Sequence, residues 1–599
     1  MKTSLPWLLL AGLANAKRPN ILFILTDDQD LHMESVEHMP FLKSDIVEKG
    51  TTFAQHYCTV ALCCPSRATL WTGKAAHNHN ITNVSPPHGG YPKVAETGLN
   101  DDYLFLWMQD AGYNTYYTGK LWNFHGVSNY DRPFARGFNS SDFLLDPYTY
   151  RYWDTMMTRN GEPPVSYAGK YNTDVVAEKA RGLLHEALRH EEPWFLTVAP
   201  IAPHSNWVFD ERTNTTYLST PQSAYRHEHL FHDYKIPRGR SFNEPMRGAA
   251  GWPGRLEALN ESVLAYNDHY QRQRLRALQA VDEMVHELVK KVEDAGEIEN
   301  TFIFYSTDNG YHISQHRMHP GKECGYDTDI HIPMFVRGPG LEAGGQVDTV
   351  TSHTDIAPTI LQLAGVEKLL DGEAMPWKDS NVGGKTEHAA IEFWGWGAPE
   401  GHYGLRSDEH FESGKLEGLY LNNTYKGLRM VGEGFSLYYS VWCTGERELY
   451  NLQVRYHLTS CSFSANYILS QTDPEQTSNV LVNTSGEVAV SNQFNVFGRE
   501  VDDLVHRLDA LIMALKDCKG RACSRPWLTL HPGEEVSSLR GALDPKFDKF
   551  YQSQPKMYFD SCEAAFIKEK ESNEPVNQYR GTDDQRLTYD YGDEWILAV

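Results

Sequence analysis

Residues 20–30 read NILFILTDDQD: five apolar side chains and a threonine, then Asp27 and Asp28. An apolar run without polar alternation reads as a strand buried on both faces, as at the centre of a parallel sheet. Three more stretches repeat the form: YNTYYTGKLWNFHG (113–126), WFLTVAPIAPH (194–204) and TFIFYSTDNG (301–310). Each ends abruptly in polar residues, namely Lys120, His204 and the pair Asp308–Asn309. Ligands of open α/β sheets bind beyond the carboxyl ends of the strands. The four polar groups are therefore expected to meet along one edge of one sheet.

Helical periodicity fills the spaces between these strands. In LRALQAVDEMVHELVKKVEDAG (275–296), Leu275, Leu278, Val281, Val285, Leu288 and Val292 fall on one face, and Gly296 is a C-cap candidate. A helix feeding the 301–310 strand completes an α/β pattern: a large, mixed, mostly parallel sheet sandwiched by helices. After about residue 390 the character changes. EFWGWGAPEGHYG, TYKGLRMV, FSLYYSVW and ELYNL are short strand-like runs, and EVDDLVHRLDALIMALKDC (500–518) is a helix. The expected division is residues 17–390 for the larger α/β domain and 391–599 for a smaller antiparallel α+β domain with a packed helix.

Residues 1–16, MKTSLPWLLLAGLANA, carry a lysine, an apolar run and an Ala-x-Ala end, the pattern of a secretory signal peptide. Sequons at Asn80, Asn83, Asn139, Asn214, Asn260, Asn422 and Asn483 fit an exported glycoprotein. The expected product is secreted through the endoplasmic reticulum, with a lysosome or vacuole as other destinations. A formal net charge of -24 argues against nucleic acid or anionic membrane as partners. Positive charge for an anionic substrate must then be local. The 26 histidines would reduce that negative charge in an acidic compartment. Oligomeric state is not legible.

Asp27, Asp28, Asp308 and Asn309 offer only oxygen donors, which suits a hard divalent cation, Ca²⁺ ahead of Mg²⁺. Arg67, Lys120, His204 and Lys322 (in HPGKECGYD) are the cationic candidates. Nine cysteines stand at 58, 63, 64, 324, 443, 461, 518, 523 and 562; an odd number in an exported protein leaves one over. Cys518 and Cys523 are near enough in sequence to close a short loop.

The most specific stretch is CCPSRATLWTG, Cys63 to Gly73, which fits C-x-P-S-R-x-x-x-x-T-G. This resembles the signature of the sulfatase family, within the alkaline-phosphatase-like superfamily. The order Asp27–Asp28, Cys63, Lys120, His204, Asp308–Asn309, Lys322 also matches the family order. TGKAAHNHNITNV, APIAPHSNW and TDNGYHISQHRM are similar to the N-acetylglucosamine-6-sulfatase branch, and secreted arylsulfatases share these features.

The resemblance implies that Cys63 is oxidised to formylglycine by the formylglycine-generating enzyme, and is the odd cysteine. Eight would remain for up to four disulfides. A Cys63–Cys64 vicinal disulfide is the competing reading of the pair. The resemblance further implies Ca²⁺ on Asp27, Asp28, Asp308, Asn309 and the modified Cys63. Arg67 and Lys120 would hold the hydrated aldehyde and the metal shell, while His204 and Lys322 bind sulfate. Hydrated formylglycine has one hydroxyl to attack sulfur and a second whose proton loss expels sulfate. Many family members carry a histidine two residues after the lysine; here that position is Trp122, so Asn123 or His125 is the expected replacement. Pro65 suits the first turn of a short helix whose N–H groups face the anion.

The expected activity is arylsulfatase, a sulfuric ester hydrolase acting on small aryl sulfates. The alternatives are N-acetylglucosamine-6-sulfatase on sulfated sugars, a phosphoester hydrolase on the same scaffold, and a non-catalytic glycan-binding protein. Specificity is expected from residues 140–175 and 205–260 and from the second domain, where Trp394 and Trp396 would either stack on a sugar ring or pack in the core.

Overall fold

Strand β1 (Asn20–Thr26) is buried at every position. Its side chains alternate between two interiors. Ile21, Phe23 and Leu25 join Trp71, Phe105 and Phe304 on one face, and Leu22 and Ile24 join Leu278, Val281 and Ile303 on the other. A strand with apolar partners on both faces has no place for polar alternation, which is why its sequence is one continuous run. These relations come from a computed structural model that describes residues 17–210, 215–378, 387–401, 419–453, 473–481 and 495–580. The leader 1–16, the sequons at Asn214 and Asn483, and Cys461 lie outside the described residues.

The sheet has ten strands. After β1 come β2 (Thr51–Phe53), β3 (Asn114–Gly119), β4 (Ser140–Leu144), β5 (Met156–Arg159) and β6 (Val165–Ser166). They are followed by β7 (Trp194–Ala199), β8 (Thr301–Thr307), β9 (Met334–Arg337) and β10 (Gly345–Val347). The spatial order is β10-β2-β9-β8-β1-β7-β3-β4-β5-β6. From β8 to β4 all neighbours are parallel. Antiparallel pairs flank this centre on both sides, with β10 parallel to β2 at one edge. The architecture is the mixed, mostly parallel sheet read from the sequence. Residues 140–144 and 156–159, within a stretch expected to supply substrate loops, are strands of this sheet.

Helices cover both faces: α1 (Cys63–Thr72), α2 (Asn172–Ala187) and α3 (Glu261–Asp294). The six apolar residues singled out on α3 are all buried, and Leu278, Val281, Val285, Leu288 and Val292 pack in the core beneath the sheet. The helix starts at Glu261, well ahead of its apolar stripe, with the Asn260 side chain accepting from Val263 N. Its early turns bury Asp268, Gln271 and Arg274, polar residues that serve the site rather than the core. Among the described residues no helix is long and apolar enough to cross a membrane.

A separate four-stranded antiparallel sheet follows: β11 (His388–Phe393), β12 (Tyr425–Gly432), β13 (Phe435–Trp442) and β14 (Arg447–Asn451). Helix α4 (Val501–Leu515) packs on it through Leu504, Leu508 and Leu511. β11 begins three residues before the expected boundary at 391. Trp394 is a core residue, with its indole N–H on Glu571.

Among the described residues two disulfides form, Cys443–Cys562 and Cys518–Cys523, within the expected maximum of four. Cys58, Cys63, Cys64 and Cys324 are all free and buried, which also rules out the vicinal bridge. Cys58 sits with its thiol on the Asp329 carbonyl and Cys324 against Met318, small buried side chains rather than bridge halves.

Candidate active site

The parallel strands β8, β1, β7 and β3 bring their carboxyl ends to one edge, as the sequence predicted. Asp27 and Asp28 follow β1, Asp308 and Asn309 follow β8, Lys120 follows β3, and His204 lies on the turn after β7. Asp27, Asp28, Asp308, Asn309, Arg67 and Lys120 are fully buried there. Helix α1 enters this edge with Cys63 as its first residue and Leu62, extended, as N-cap. Pro65 is the third helical residue, inside the first turn. Gly73 ends the helix at φ 61°, where a Cβ would stand 2.8 Å from Leu370 Cδ1, so the closing glycine of the motif is structural.

The motif's polar residues tie α1 to the strand ends. Ser66 Oγ donates to the Asp308 carbonyl and pairs with His353 Nδ1 at 2.8 Å. Arg67 Nε donates to Asp308 Oδ2 at 2.9 Å, and Nη1 donates to the Lys120 carbonyl at 2.6 Å. Its Nη2 lies 3.4 Å from Asp27 Oδ2. Lys120 Nζ reaches Asp27 Oδ2 at 2.6 Å. Burial pushes the Asp27 carboxyl up, but Lys120, His204, Arg67 and Lys322 together outweigh it and hold it below the usual carboxylate range. Burial dominates at Asp28 and raises it, with Lys322 the largest opposing influence.

Cys63 Sγ stands 3.5 Å from Asp27 Oδ1, 3.9 Å from Asp28 Oδ1 and 3.5 Å from Lys322 Nζ. Burial pushes its thiol well above the ordinary cysteine range, against the pull of Lys120 and Lys322.

Lys322 Nζ donates to both Asp28 oxygens, at 2.6 and 2.7 Å. His204 Nδ1 donates to the Ser205 carbonyl at 2.8 Å, which leaves Nε2, 3.6 Å from Asp28 Oδ2, facing the site. Its ring stacks on Tyr150 at 4.1 Å. Tyr150 also lies under Lys120 Nζ (4.9 Å) and accepts from Asn123 Nδ2 at 2.7 Å. Asn123 thus reaches the centre through Tyr150. Trp122 packs in the core, and His125 is buried between Tyr91 and Phe143.

The donor set fits a hard cation. Oxygens of Asp27, Asp28 and Asp308 and the Cys63 sulfur lie within 4.8 Å of one another. Asn309 Nδ2 is used by Asp28 Oδ1 and the Gly310 carbonyl, while Asn309 Oδ1 is buried without a hydrogen-bond partner. An orphaned buried acceptor beside three carboxylates has the chemistry that a hard divalent cation would need. Asp28 holds the left-handed φ of 65°, with its N–H on Asp308 Oδ1 at 3.0 Å.

Sequence reading missed four residues of this site. Ser66 was visible only as a motif letter. Tyr150 and Arg274, the latter on the Asp28 carbonyl and Asp30, sit in stretches with no chemical signature. Glu400 lies in a run read as second-domain strand, yet its Oε1 is 2.9 Å from Lys322 Nζ.

Comparison with known proteins agrees with this geometry. A family model described as Sulfatase matches residues 19–366. The chain is 34% identical to an arylsulfatase of Volvox carteri over 96% of its own length and 85% of the relative's. It is 27% identical to human N-acetylglucosamine-6-sulfatase, covering 92% of this chain and 90% of that one. A solved structure, of a protein in complex with its substrate D-glucosamine-2-N,6-O-disulfate, shares the fold at TM-score 0.58 and 20% identity, covering 78% and 93% of the two chains. With the signature cysteine seated among these carboxylates and cations, the chain belongs to the sulfatase family and is a hydrolase of sulfate esters.

Proposed function

We propose that this sulfatase is an arylsulfatase that works through a formylglycine made from Cys63, with Ca²⁺ held by Asp27, Asp28, Asp308 and Asn309. The observation that carries this reading is the position of Cys63: the first residue of α1, within 4 Å of Asp27, Asp28 and Lys322. When present, the hydrated aldehyde supplies a hydroxyl nucleophile and the cation neutralises charge on the sulfate oxygens.

The protein's own groups do the rest. Lys322, on Asp28 and 3.5 Å from Cys63 Sγ, and Lys120, on Asp27, present ammonium protons to sulfate and nucleophile oxygens. Arg67, forked onto Asp308 and the Lys120 carbonyl, fixes both elements in place. His204 is set by its Nδ1–H bond so that Nε2 can pass a proton to the departing oxygen. Tyr150, stacked on that ring, fixes its plane, and Asn123 fixes Tyr150. Export fits the sequons: Asn80, Asn139, Asn260 and Asn422 are exposed and Asn83 half-buried, open to glycosylation.

Glycan 6-sulfate hydrolysis is the second reading, favoured by the 27% identity to human N-acetylglucosamine-6-sulfatase across both domains. The deciding experiment uses protein from a host with formylglycine-generating enzyme, assayed on an aryl sulfate and on N-acetylglucosamine 6-sulfate. The arylsulfatase reading expects kcat/KM higher on the aryl ester by about tenfold or more, ~1.4 kcal/mol of transition-state binding. It also expects loss of activity with a chelator and recovery with Ca²⁺. The opposite preference moves the glycan reading forward, and no turnover of either ester by fully converted protein overturns both.

A further inference from the structure

Glu400 is a carboxylate at this centre that neither the signature nor the proposed cation uses. It comes from the segment after β11, so the second sheet's region delivers it. Its N–H donates to the Pro320 carbonyl at 2.7 Å, two residues ahead of Lys322. Oε1 is 2.9 Å from Lys322 Nζ, and Oε2 accepts from Ser205 Oγ at 3.0 Å and Tyr311 OH at 3.1 Å. With Asp28 and His204 it forms a group whose polar atoms lie within 4.8 Å of one another. Burial pushes its carboxyl up, but Lys322 and His204 outweigh this and bring it down to about 2, so it is an anion at working pH.

The charges around Cys63 give that anion a role. Arg67, Lys120 and Lys322 are cancelled one for one by Asp27, Asp28 and Asp308. Arg274 is cancelled by Asp30 at 3.2 Å. Glu323 turns onto the Ala398 N–H, and burial pushes its carboxyl well up, toward the neutral form. A divalent cation and the His204 proton that the leaving oxygen requires leave the centre positive, and Glu400 removes one unit of that charge. A fixed anion beside the site opposes a dianion about twice as strongly as a monoanion at the same distance. Glu400 therefore weighs more against the dianion of a phosphate monoester, or of free sulfate, than against a sulfate monoester.

We infer that Glu400 is a specificity-determining residue: its carboxylate makes the centre favour a singly charged sulfate ester over a doubly charged phosphate ester and lets the doubly charged sulfate product leave. This rests on the proposed cation-dependent sulfatase reading. A bystander that only tethers Lys322 would affect both esters alike.

The test compares wild type with Glu400→Gln and Glu400→Asp. For converted, Ca²⁺-loaded enzyme, the kcat/KM ratio of aryl sulfate to aryl phosphate should fall by about 10–100-fold in Glu400→Gln, the effect of one screened unit charge at close range. Glu400→Asp should recover most of it. Titration calorimetry on Ca²⁺-loaded protein with Cys63 unconverted should show Glu400→Gln binding inorganic sulfate and phosphate about tenfold or more tighter. A ratio within about twofold of wild type, or weaker sulfate binding, overturns the inference. If wild type hydrolyses no sulfate ester, the sulfatase reading fails on its own, and the calorimetry still decides the role of Glu400.

Discussion

Substituting Ser66 with alanine tests whether the signature serine is a structural tie. Its hydroxyl has one proton, which goes to the Asp308 carbonyl, so it accepts from His353 Nδ1–H. His353 is neutral, because burial brings its imidazole down to about 3. Ser66→Ala leaves a buried carbonyl and a buried N–H unpaired, each costing about 1–3 kcal/mol, while sparing the hydroxyl's own desolvation. The net expectation is about 2–4 kcal/mol. The carbonyl belongs to a proposed cation ligand, so the loss should spread to the site: weaker Ca²⁺ binding together with the lower stability. Urea unfolding with and without Ca²⁺, beside calorimetric Ca²⁺ titration, reads both effects. A variant within about 0.5 kcal/mol of wild type, with unchanged Ca²⁺ affinity, would refute the reasoning.

Three further outcomes follow from buried groups. Burial lowers His79, His316 and His353 to about 3, and His125 and His331 to about 4. Below the unfolded value of about 6.5, the unfolded chain takes up protons that the folded one refuses. Stability should therefore fall as pH drops from 6.5 toward 4, by several kcal/mol, at roughly 1.4 kcal/mol per pH unit for each fully linked histidine; a flat urea midpoint between pH 7 and 5 would contradict this. The Cys518–Cys523 bridge shapes the loop whose Cys518 carbonyl accepts from His77 Nε2 at 2.9 Å and Asn78 Nδ2 at 2.7 Å. Replacing both cysteines with serine should cost about 2 kcal/mol by chain entropy for so short a loop, measured by urea denaturation. Saturating Ca²⁺ at about a hundredfold over its Kd should add about 2.7 kcal/mol of stability, and Asn309→Leu should abolish most of that increment.

The fold was legible because β1, β3, β7 and β8 are buried on both faces and wrote themselves as continuous apolar runs. The polar residues at their ends were legible for the same reason: a parallel sheet sends all carboxyl ends to one edge. Helix α3 was only half visible. Its second half packs on the sheet and shows an apolar period, but its first half buries Gln271 and Arg274 against Asp30, and buried polar contacts leave no period. Glu400 and Tyr150 were not legible because their roles depend on contacts across long sequence separations. The odd cysteine total pointed at Cys63, which is free, but did not show that Cys58, Cys64 and Cys324 are free as well. Their burial in packed surroundings, which sequence does not display, removes the pressure to pair.

The central claim is that Cys63 is the precursor of the nucleophile. Mass spectrometry of the tryptic peptide spanning Gly50 to Arg67, from protein that hydrolyses an aryl sulfate, tests it most directly. The account predicts an aldehyde at Cys63 and unmodified thiols at Cys58 and Cys64. An intact thiol at Cys63 throughout a fully active preparation would contradict it.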